Sequence, residues 1–122
     1  MPSNPYSILL ANGNLYLDFP IYQTYFKSID HVMLVSKPPL VLLMPIRHAG
    51  AGGLLLKVRN ARGDRVVNVI EFLQSCDLDV SFSKMLPVIW NEDYAALTFN
   101  LDLIQYGKAP AMPGDFPKFD LT

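Results

Sequence analysis

The sequence predicts a mostly β fold with two short helices, a small antiparallel barrel or sandwich built from two tandem hairpin–helix–hairpin repeats. Residues 6–46 and residues 53–101 share one order of short apolar strands, turn residues and a helix-like segment. Aligning Gly13 with Gly63 superimposes the apolar positions of the two units. Because the connections are short and local, the strands should pair mainly antiparallel. The sequence leaves open whether the units pair with each other or exchange strands with a second chain.

The first unit opens with a hairpin. Residues 6–10 form an apolar run, and residues 14–19 alternate apolar and polar side chains with the period of a half-buried strand. Asn12 and Gly13 favour a type I′ turn between them, since both central residues of that turn need a positive φ. Pro20 fits the first turn of a helix, where its missing N–H costs nothing.

A helix and a second hairpin complete the first unit. Helical spacing places four side chains on one inward face: Tyr22, Tyr25, Phe26 and Ile29. Two β-rich runs follow at 31–36 and 40–45, and Pro38 and Pro39 prevent a helix from continuing between them.

The second unit repeats this order after a small, flexible linker at residues 47–52. Its predicted elements are strands at 54–59 and 64–69 around a turn at 60–63, a helix at 70–76, and strands at 85–90 and 94–99. We count about eight strands and two short helices over both units. A Pro-rich tail covers residues 102–122 and is predicted to wrap the surface or to stay mobile.

Length and composition indicate a single domain that needs a partner. At 122 residues the chain can form one compact domain, but units of about 45 residues could hardly bury separate cores. Only 17% of the residues are charged, against about 25% in typical soluble domains. Some apolar surface should therefore stay exposed on a monomer, which predicts a homodimer with twofold symmetry.

The chain lacks the residue patterns of an enzyme, a metal protein or a membrane protein. Its histidines are His31 and His48, and neither belongs to a nucleophile motif. The single cysteine, Cys76, is predicted to be a small core residue rather than a reactive thiol. No apolar run approaches the roughly 18 residues of a membrane span. We therefore predict no catalytic residue, cofactor or metal, no membrane, and a cytoplasmic location.

The basic segment is the strongest functional signal. The net charge is −1, yet residues 47–65 hold five basic side chains against Asp64 alone, a local balance of +4. The predicted nucleic-acid-binding residues are Lys57, Arg59, Arg62, Arg65 and Arg47. A two-stranded β-ribbon that carries Lys and Arg can enter a DNA groove or follow phosphates. The alternative is a polar sheet face that acidic residues balance elsewhere on the chain.

A resemblance to a known superfamily supports the first interpretation. The segment from Gly13 to Tyr22 with 40–45, and its counterpart from Gly63 to Phe72 with 94–99, resemble the AbrB/MazE/MraZ swapped-hairpin domains, and a tandem pair is the MraZ arrangement. The resemblance implies an interlaced barrel of two copies that binds DNA through basic residues of the first hairpin. The residues of the second unit that match that position are Lys57, Arg59, Arg62 and Arg65. The first unit has no Lys or Arg at residues 8–19.

Two functions follow as hypotheses. The first is a small dimeric DNA-binding transcriptional regulator or antitoxin-like protein that uses the second unit's basic hairpin. The second is a protein interaction or assembly factor without nucleic-acid binding. It would use apolar surface or the tail, with Trp90, Phe116 and Phe119 as contact residues.

Overall fold

The computed structural model describes residues 6–47 and 53–104, which form two antiparallel five-stranded sheets and two short helices. The strands are β1 (Ser7–Ala11), β2 (Asn14–Leu17), β3 (His31–Lys37), β4 (Leu40–Ile46), β5 (Leu54–Leu55), β6 (Lys57–Val58), β7 (Arg65–Asn68), β8 (Ser83–Pro87), β9 (Ile89–Asn91) and β10 (Ala96–Asn100). The helices are α1 (Phe19–Tyr25) and α2 (Ile70–Ser75), and a short 3-10 helix spans Leu101–Leu103. The predicted mostly β class with two short helices is confirmed.

The two sheets have the strand orders β6–β7–β2–β1–β8, called the first sheet, and β5–β3–β4–β10–β9, called the second sheet. They are not closed into a barrel, so of the two predicted architectures the structure has two facing sheets. Most of the predicted linker and tail, at residues 48–52 and 105–122, lies outside the described residues. The predicted contact residues Phe116 and Phe119 belong to this part of the tail.

Two predicted strands each divide between the sheets, which is why the described residues hold ten strands rather than about eight. The chain leaves the second sheet after β5 and enters the first at β6, and Leu56 between them donates its N–H to the carbonyl of Asp30 at 2.7 Å. Val88 divides β8 from β9 in the same way and donates to the carbonyl of Tyr6 at 3.2 Å. Both dividing side chains are buried. Their N–H groups donate to carbonyls that are distant in the sequence. Apolar periodicity therefore does not predict where these two strands divide.

The two predicted units are interlaced. The first sheet holds both first hairpins, β1–β2 and β6–β7, and the second sheet holds both second hairpins, β3–β4 and β9–β10. In addition β8 of the second unit pairs with β1 of the first, and β5 of the second pairs with β3 of the first. Neither unit therefore forms a sheet by itself.

In the β2–β7 ladder at the centre of the first sheet, the equivalent residues of the two units pair in opposite order around one central pair. Under the Gly13–Gly63 alignment, Tyr16 corresponds to Val66, and the residues on either side correspond in order. The structure pairs Leu15 with Val67, Tyr16 with Val66, and Leu17 with Arg65. An approximate twofold axis through the Tyr16–Val66 pair produces this register. The ladders are thus related by pseudo-symmetry, whereas the tandem duplication that would explain it stays a prediction.

The two sheets and helices of the described chain share one hydrophobic core. Residues of both units with almost no exposed surface include Leu10, Leu17, Phe26, Leu43, Val67, Leu73, Leu86 and Leu97. The inward face of α1 is confirmed, since Tyr22, Phe26 and Ile29 are buried and Tyr25 is partly exposed. Cys76 is half-buried and packs against the core rather than within it. In the part of the chain that the structure describes, neither helix is long and apolar enough to cross a membrane.

Candidate functional site

The connection of the basic hairpin is held by hydrogen bonds to Asn60. The N–H of Arg59 donates to the carbonyl of Asp64 at 2.7 Å, which extends the β6–β7 ladder. The side-chain oxygen of Asn60 accepts from the N–H groups of Gly63 and Asp64, both at 3.2 Å. Gly63 has a φ of +100°, a conformation that glycine adopts without strain. The turn is thus fixed by its own residues.

Asp64 joins this hairpin to helix α1. Asp64 is only 2% exposed, and one of its carboxylate oxygens accepts a hydrogen bond from the N–H of Phe19 at 2.7 Å. Phe19 is the first residue of α1, and its N–H has no partner within the helix. A negative charge is favourable at a helix N-terminus. Asp64 is the one acidic residue among the basic residues of 47–65. Its side chain therefore caps a helix whose first residue lies 45 positions earlier in the sequence.

Arg62 is neutralised by the same carboxylate. Its Nε and Nη2 atoms donate to Asp64 Oδ2 at 3.0 and 2.5 Å, and the amide of Asn60 donates to that oxygen at 3.0 Å. The hydrogen bonds from Arg62 and Asn60, with that from Phe19, hold the pKa of Asp64 far below its usual range. The hydrogen bond to Asp64 likewise raises the pKa of Arg62. The Arg62 side chain is still 72% exposed, but its charge already has a counter-ion.

Arg59 and Arg65 stack on tyrosines of the same chain. The Arg59 guanidinium carbon lies 4.7 Å from the ring centroid of Tyr16 on β2. That of Arg65 lies 3.7 Å from the ring centroid of Tyr22, and its Nη1 donates to the carbonyl of Gly63. Arg65 therefore packs against α1, while Arg59 lies over the first sheet.

The five predicted binding residues do not form one surface. Lys57 is exposed and lies opposite Val66 on the outer side of the first sheet. Arg47 follows β4 in the second sheet, where it lines a cavity of about 210 Å³ with Ser28, Ile29, Asp30, His31 and Ile46. The structure brings Lys57, Arg59, Arg62 and Arg65 onto one hairpin and leaves Arg47 outside it. Their contact with nucleic acid stays a prediction.

The outer surface of the second sheet, which we call the apolar face, gives a location to the exposed apolar surface that the composition predicts. Along β4 the core residues Val41 and Leu43 alternate with Leu42, which therefore points outward. Alternation along all five strands gives these apolar outward positions: Met33, Val35, Leu40, Leu42, Met44, Ile46, Leu55, Ile89 and Ala96. Three of them, on β3, β5 and β9, are widely exposed, Met33 by 40%, Leu55 by 52% and Ile89 by 61%, whereas Leu42 and Ala96 on the central strands are almost fully buried. The run of apolar residues at 40–44 concealed this, because it shows no alternation.

Two polar side chains of the apolar face, those of Thr98 and Lys37, have partners within the chain. The hydroxyl of Thr98 donates to the carbonyl of Ile89 at 2.8 Å. Lys37 carries the charge at the end of β3, and its Nζ lies 5.5 Å from the ring centroid of Tyr94. Among outward positions of the described strands of this sheet, Lys37 is the one Lys, Arg, Asp or Glu. The face therefore offers hydrophobic contact rather than polar recognition.

Three aromatic side chains form what we call the aromatic corner, at the end of α1. The rings of Tyr25 and Trp90 stack at a centroid distance of 4.9 Å and an interplanar angle of 7°. Tyr6 meets Tyr25 edge-on at 5.8 Å. All three residues are partly exposed, and burial together with Tyr6 raises the pKa of Tyr25. Helical spacing identified Tyr25, but nothing in the sequence connects it with the other two.

The turn between β3 and β4 borders a second cavity. An open groove of about 490 Å³ is lined by Ser36, Lys37, Pro38, Pro39, Leu40 and Tyr94, with no carboxylate, thiol or imidazole among them. Within residues 6–47 and 53–104, no three His, Cys, Asp or Glu side chains are grouped so that they could hold a metal ion. Neither family models, curated proteins nor solved structures match this chain.

Proposed function

We propose that the protein is a non-catalytic assembly module, active in the cytoplasm, that pairs with a second copy of itself through the apolar face. The observation that carries the proposal is the exposure of Met33, Leu55 and Ile89 on one sheet surface. Exposed apolar side chains that gather on one face of a protein are typical of interaction sites. No cofactor or metal enters the proposal.

Charge favours a second copy as the occupant of the apolar face. In a twofold interface the same patch meets itself, so a charge near its centre opposes its own copy. Lys37 lies at the end of β3, away from the centre of the apolar face, and points to Tyr94. The outer surface of the first sheet instead carries Lys57, with Arg59 beside it. The second sheet is therefore the better self-complementary surface.

Two exposed methionines give a matched test. Met33 is 40% exposed on the apolar face, and Met85 is 52% exposed on the outer side of the first sheet. We expect sedimentation to show a dimer for the wild type and for Met85→Lys. Met33→Lys should be a monomer, because burying an unpaired charge in an interface is unfavourable. A monomeric wild type at about 100 μM, or equal effects of both substitutions, would contradict the proposal.

DNA binding by the basic hairpin is the second candidate. Lys57 and Arg59 lie on one side of the hairpin, and the exposed Arg62 lies in its turn. The resemblance to AbrB/MazE/MraZ domains implies an interlaced barrel, and the interlacing of the hairpins supports this candidate although the two sheets are not closed into a barrel. The pairing of Arg62 with Asp64 and the packing of Arg65 on Tyr22 reduce the charge that is free for phosphates. For this reason we rank it below self-assembly.

Salt dependence separates the contributions of the basic residues. If the hairpin binds DNA, Lys57→Ala should lower the slope of log affinity against log salt by about 1. Arg65→Ala should leave that slope unchanged, since the side chain packs on α1. Absence of DNA binding at about 50 mM salt, or a slope that Lys57→Ala and Arg59→Ala leave unaltered, rejects this candidate.

A further inference from the structure

The aromatic corner has no counterpart in the other half of the molecule. By the ladder registers, Leu9 corresponds to Lys57 and Pro87 to His31, since each pair has equivalent partners. Counting along the strands, the positions equivalent to Tyr6, Tyr25 and Trp90 are Leu54, Ser75 and Leu34. The fold thus closes the equivalent corner with two leucines and a serine. The symmetry of the fold therefore does not require aromatic rings at this corner.

The chain carries a segment whose chemistry suits such a corner. Residues 105–122 lie outside the described residues, and their sequence places Pro110 three residues before Pro113, with Pro117 beyond. Proline at this spacing favours the polyproline II conformation, which docks on surfaces lined by aromatic side chains at a low cost in entropy. The tail therefore has the composition of a ligand for the aromatic corner.

The point at which the described chain ends is within reach of the corner. Leu97 lies directly opposite Trp90 in the β9–β10 ladder, and Ile104 is buried against the core seven residues later. At most about 25 Å of extended chain separates Leu97 from Ile104. If the chain beyond Ile104 took the polyproline II conformation, Pro110 and Pro113 would lie about 19 and 28 Å from Ile104. A polyproline II segment that ends at Pro113 would therefore be as long as the largest possible separation of Ile104 from Leu97.

We infer that the aromatic corner formed by Tyr6, Tyr25 and Trp90 binds the Pro-rich segment at residues 110–117 of the same chain. The tail would cover a surface that is separate from the apolar face, so the inference is independent of self-assembly. A proline-rich segment of another protein has the same chemistry and could displace the tail. The corner would then be a peptide-binding site that the chain's own tail occupies at rest.

Trp90 is the single tryptophan of the chain, so its fluorescence reports on the corner alone. The measurement is acrylamide quenching of the full chain in the Met33→Lys background, which removes the proposed dimer. The test variant combines Pro110→Ala, Pro113→Ala and Pro117→Ala. The matched control keeps the prolines and combines Ala109→Ser, Ala111→Ser and Lys118→Ser.

We expect the quenching constant to rise roughly twofold in the proline variant and to stay at the unsubstituted level in the control, because a docked tail shields the indole ring. The constants should not change over a roughly hundredfold range of protein concentration, as an intramolecular contact requires. Equal constants in all three proteins would overturn the inference. A concentration-dependent constant would also overturn it, because a second copy would then supply the occupant.

Proteolysis of the full chain gives a second readout. Tyr25→Leu removes the central ring, and Ser75→Leu makes the equivalent change in the other half. Tryptic cleavage after Lys118 should be several-fold faster in Tyr25→Leu than in the wild type, and unchanged in Ser75→Leu. Thermal melts of both variants confirm that they are folded. Equal cleavage rates in folded Tyr25→Leu and wild type would overturn the inference.

Discussion

The first hairpins of the two units each accept a hydrogen bond from an equivalent backbone N–H, but they use different acceptor groups. The β1–β2 hairpin turns at Asn12 and Gly13, whose φ angles of 51° and 82° match the predicted type I′ turn, and it carries no charge. The carbonyl of Gly13 accepts from the N–H of Val69 at 2.8 Å. In the β6–β7 hairpin the carboxylate of Asp64 accepts from the equivalent donor, Phe19, at 2.7 Å.

The difference shows what the charges of the basic hairpin do within the fold. A backbone carbonyl needs no counter-ion, whereas a buried carboxylate needs partners for its charge. Asn60 and Arg62 supply them, and Arg65 stacks on the helix that Asp64 caps. Part of the local positive charge therefore belongs to the contact between hairpin and helix. A count of charges along the sequence cannot separate this part from charge that is available to a ligand.

The largest expected effect tests whether both hairpins belong to one core. Leu17 of the first hairpin and Val67 of the second are equivalent positions, and both are fully buried. Leu17→Ala should lower the free energy of unfolding by about 2–5 kcal/mol. Val67→Ala should cost about 1 kcal/mol less, because it removes one methylene fewer. Urea unfolding measures both, with the exposed Val58→Ala as a control. A negligible effect of Val67→Ala would mean that the second hairpin is peripheral.

The two turn glycines should respond unequally to a methyl group. Both have positive φ, but a Cβ at Gly13 would lie 2.2 Å from Ile70 Cγ1, and one at Gly63 would lie 2.7 Å from the ring of Phe19. Phe19 is 36% exposed and can move aside. We expect Gly13→Ala to cost about 2–4 kcal/mol and Gly63→Ala about 1–2 kcal/mol in unfolding free energy. The reverse order would show that the first turn is the more adaptable.

Acid should weaken one hairpin and spare the other. Because the pKa of Asp64 is depressed in the folded state, its contribution to stability is present above about pH 3.9 and is lost as the pH falls towards the folded pKa. Asp64→Asn should lower Tm by about 5 °C at neutral pH. The Tm difference from the wild type should shrink below about pH 4. Asp93→Asn, in an exposed turn, is the control. A Tm difference that stays constant down to about pH 2 would contradict this role of Asp64.

The smallest effect concerns Arg59, one of the exposed arginines of the basic hairpin. Arg59 stacks on Tyr16, and a cation–π contact of this kind contributes about 0.5–1 kcal/mol at exposed sites. Arg59→Ala should lower the unfolding free energy by that amount in wild type and by nothing in a Tyr16→Leu background. Lys57→Ala should change it by less than about 0.5 kcal/mol. If the effect of Arg59→Ala survives in Tyr16→Leu, the stacking is not its cause.

Local signals predicted the elements of this fold well. The turn at Asn12 and Gly13 depends on two neighbouring residues, and the helix that starts near Pro20 depends on the spacing of apolar side chains within residues 22–29. Both elements lie where the sequence places them. The strand at 94–99 is displaced, because the turn before it extends to Ala95 and β10 runs from Ala96 to Asn100.

The candidate sites depended on contacts that sequence spacing does not contain. Asp64 reaches Phe19, and Tyr25 reaches Trp90, across intervals that only the folded chain closes. The basic residues were correctly grouped on one hairpin except for Arg47, but the directions of their side chains depend on Tyr16 and Tyr22.

The interlacing of the two units has a consequence for a chain that is cut into two fragments. A cut between Arg47 and Gly53 separates the units and breaks none of the ten described strands. Each fragment would then lack the neighbours that its outer strands pair with, since β1 needs β8 and β3 needs β5. The fragments should be unstructured alone and should fold together when mixed. The protein would thus serve as a split pair that reassembles on contact.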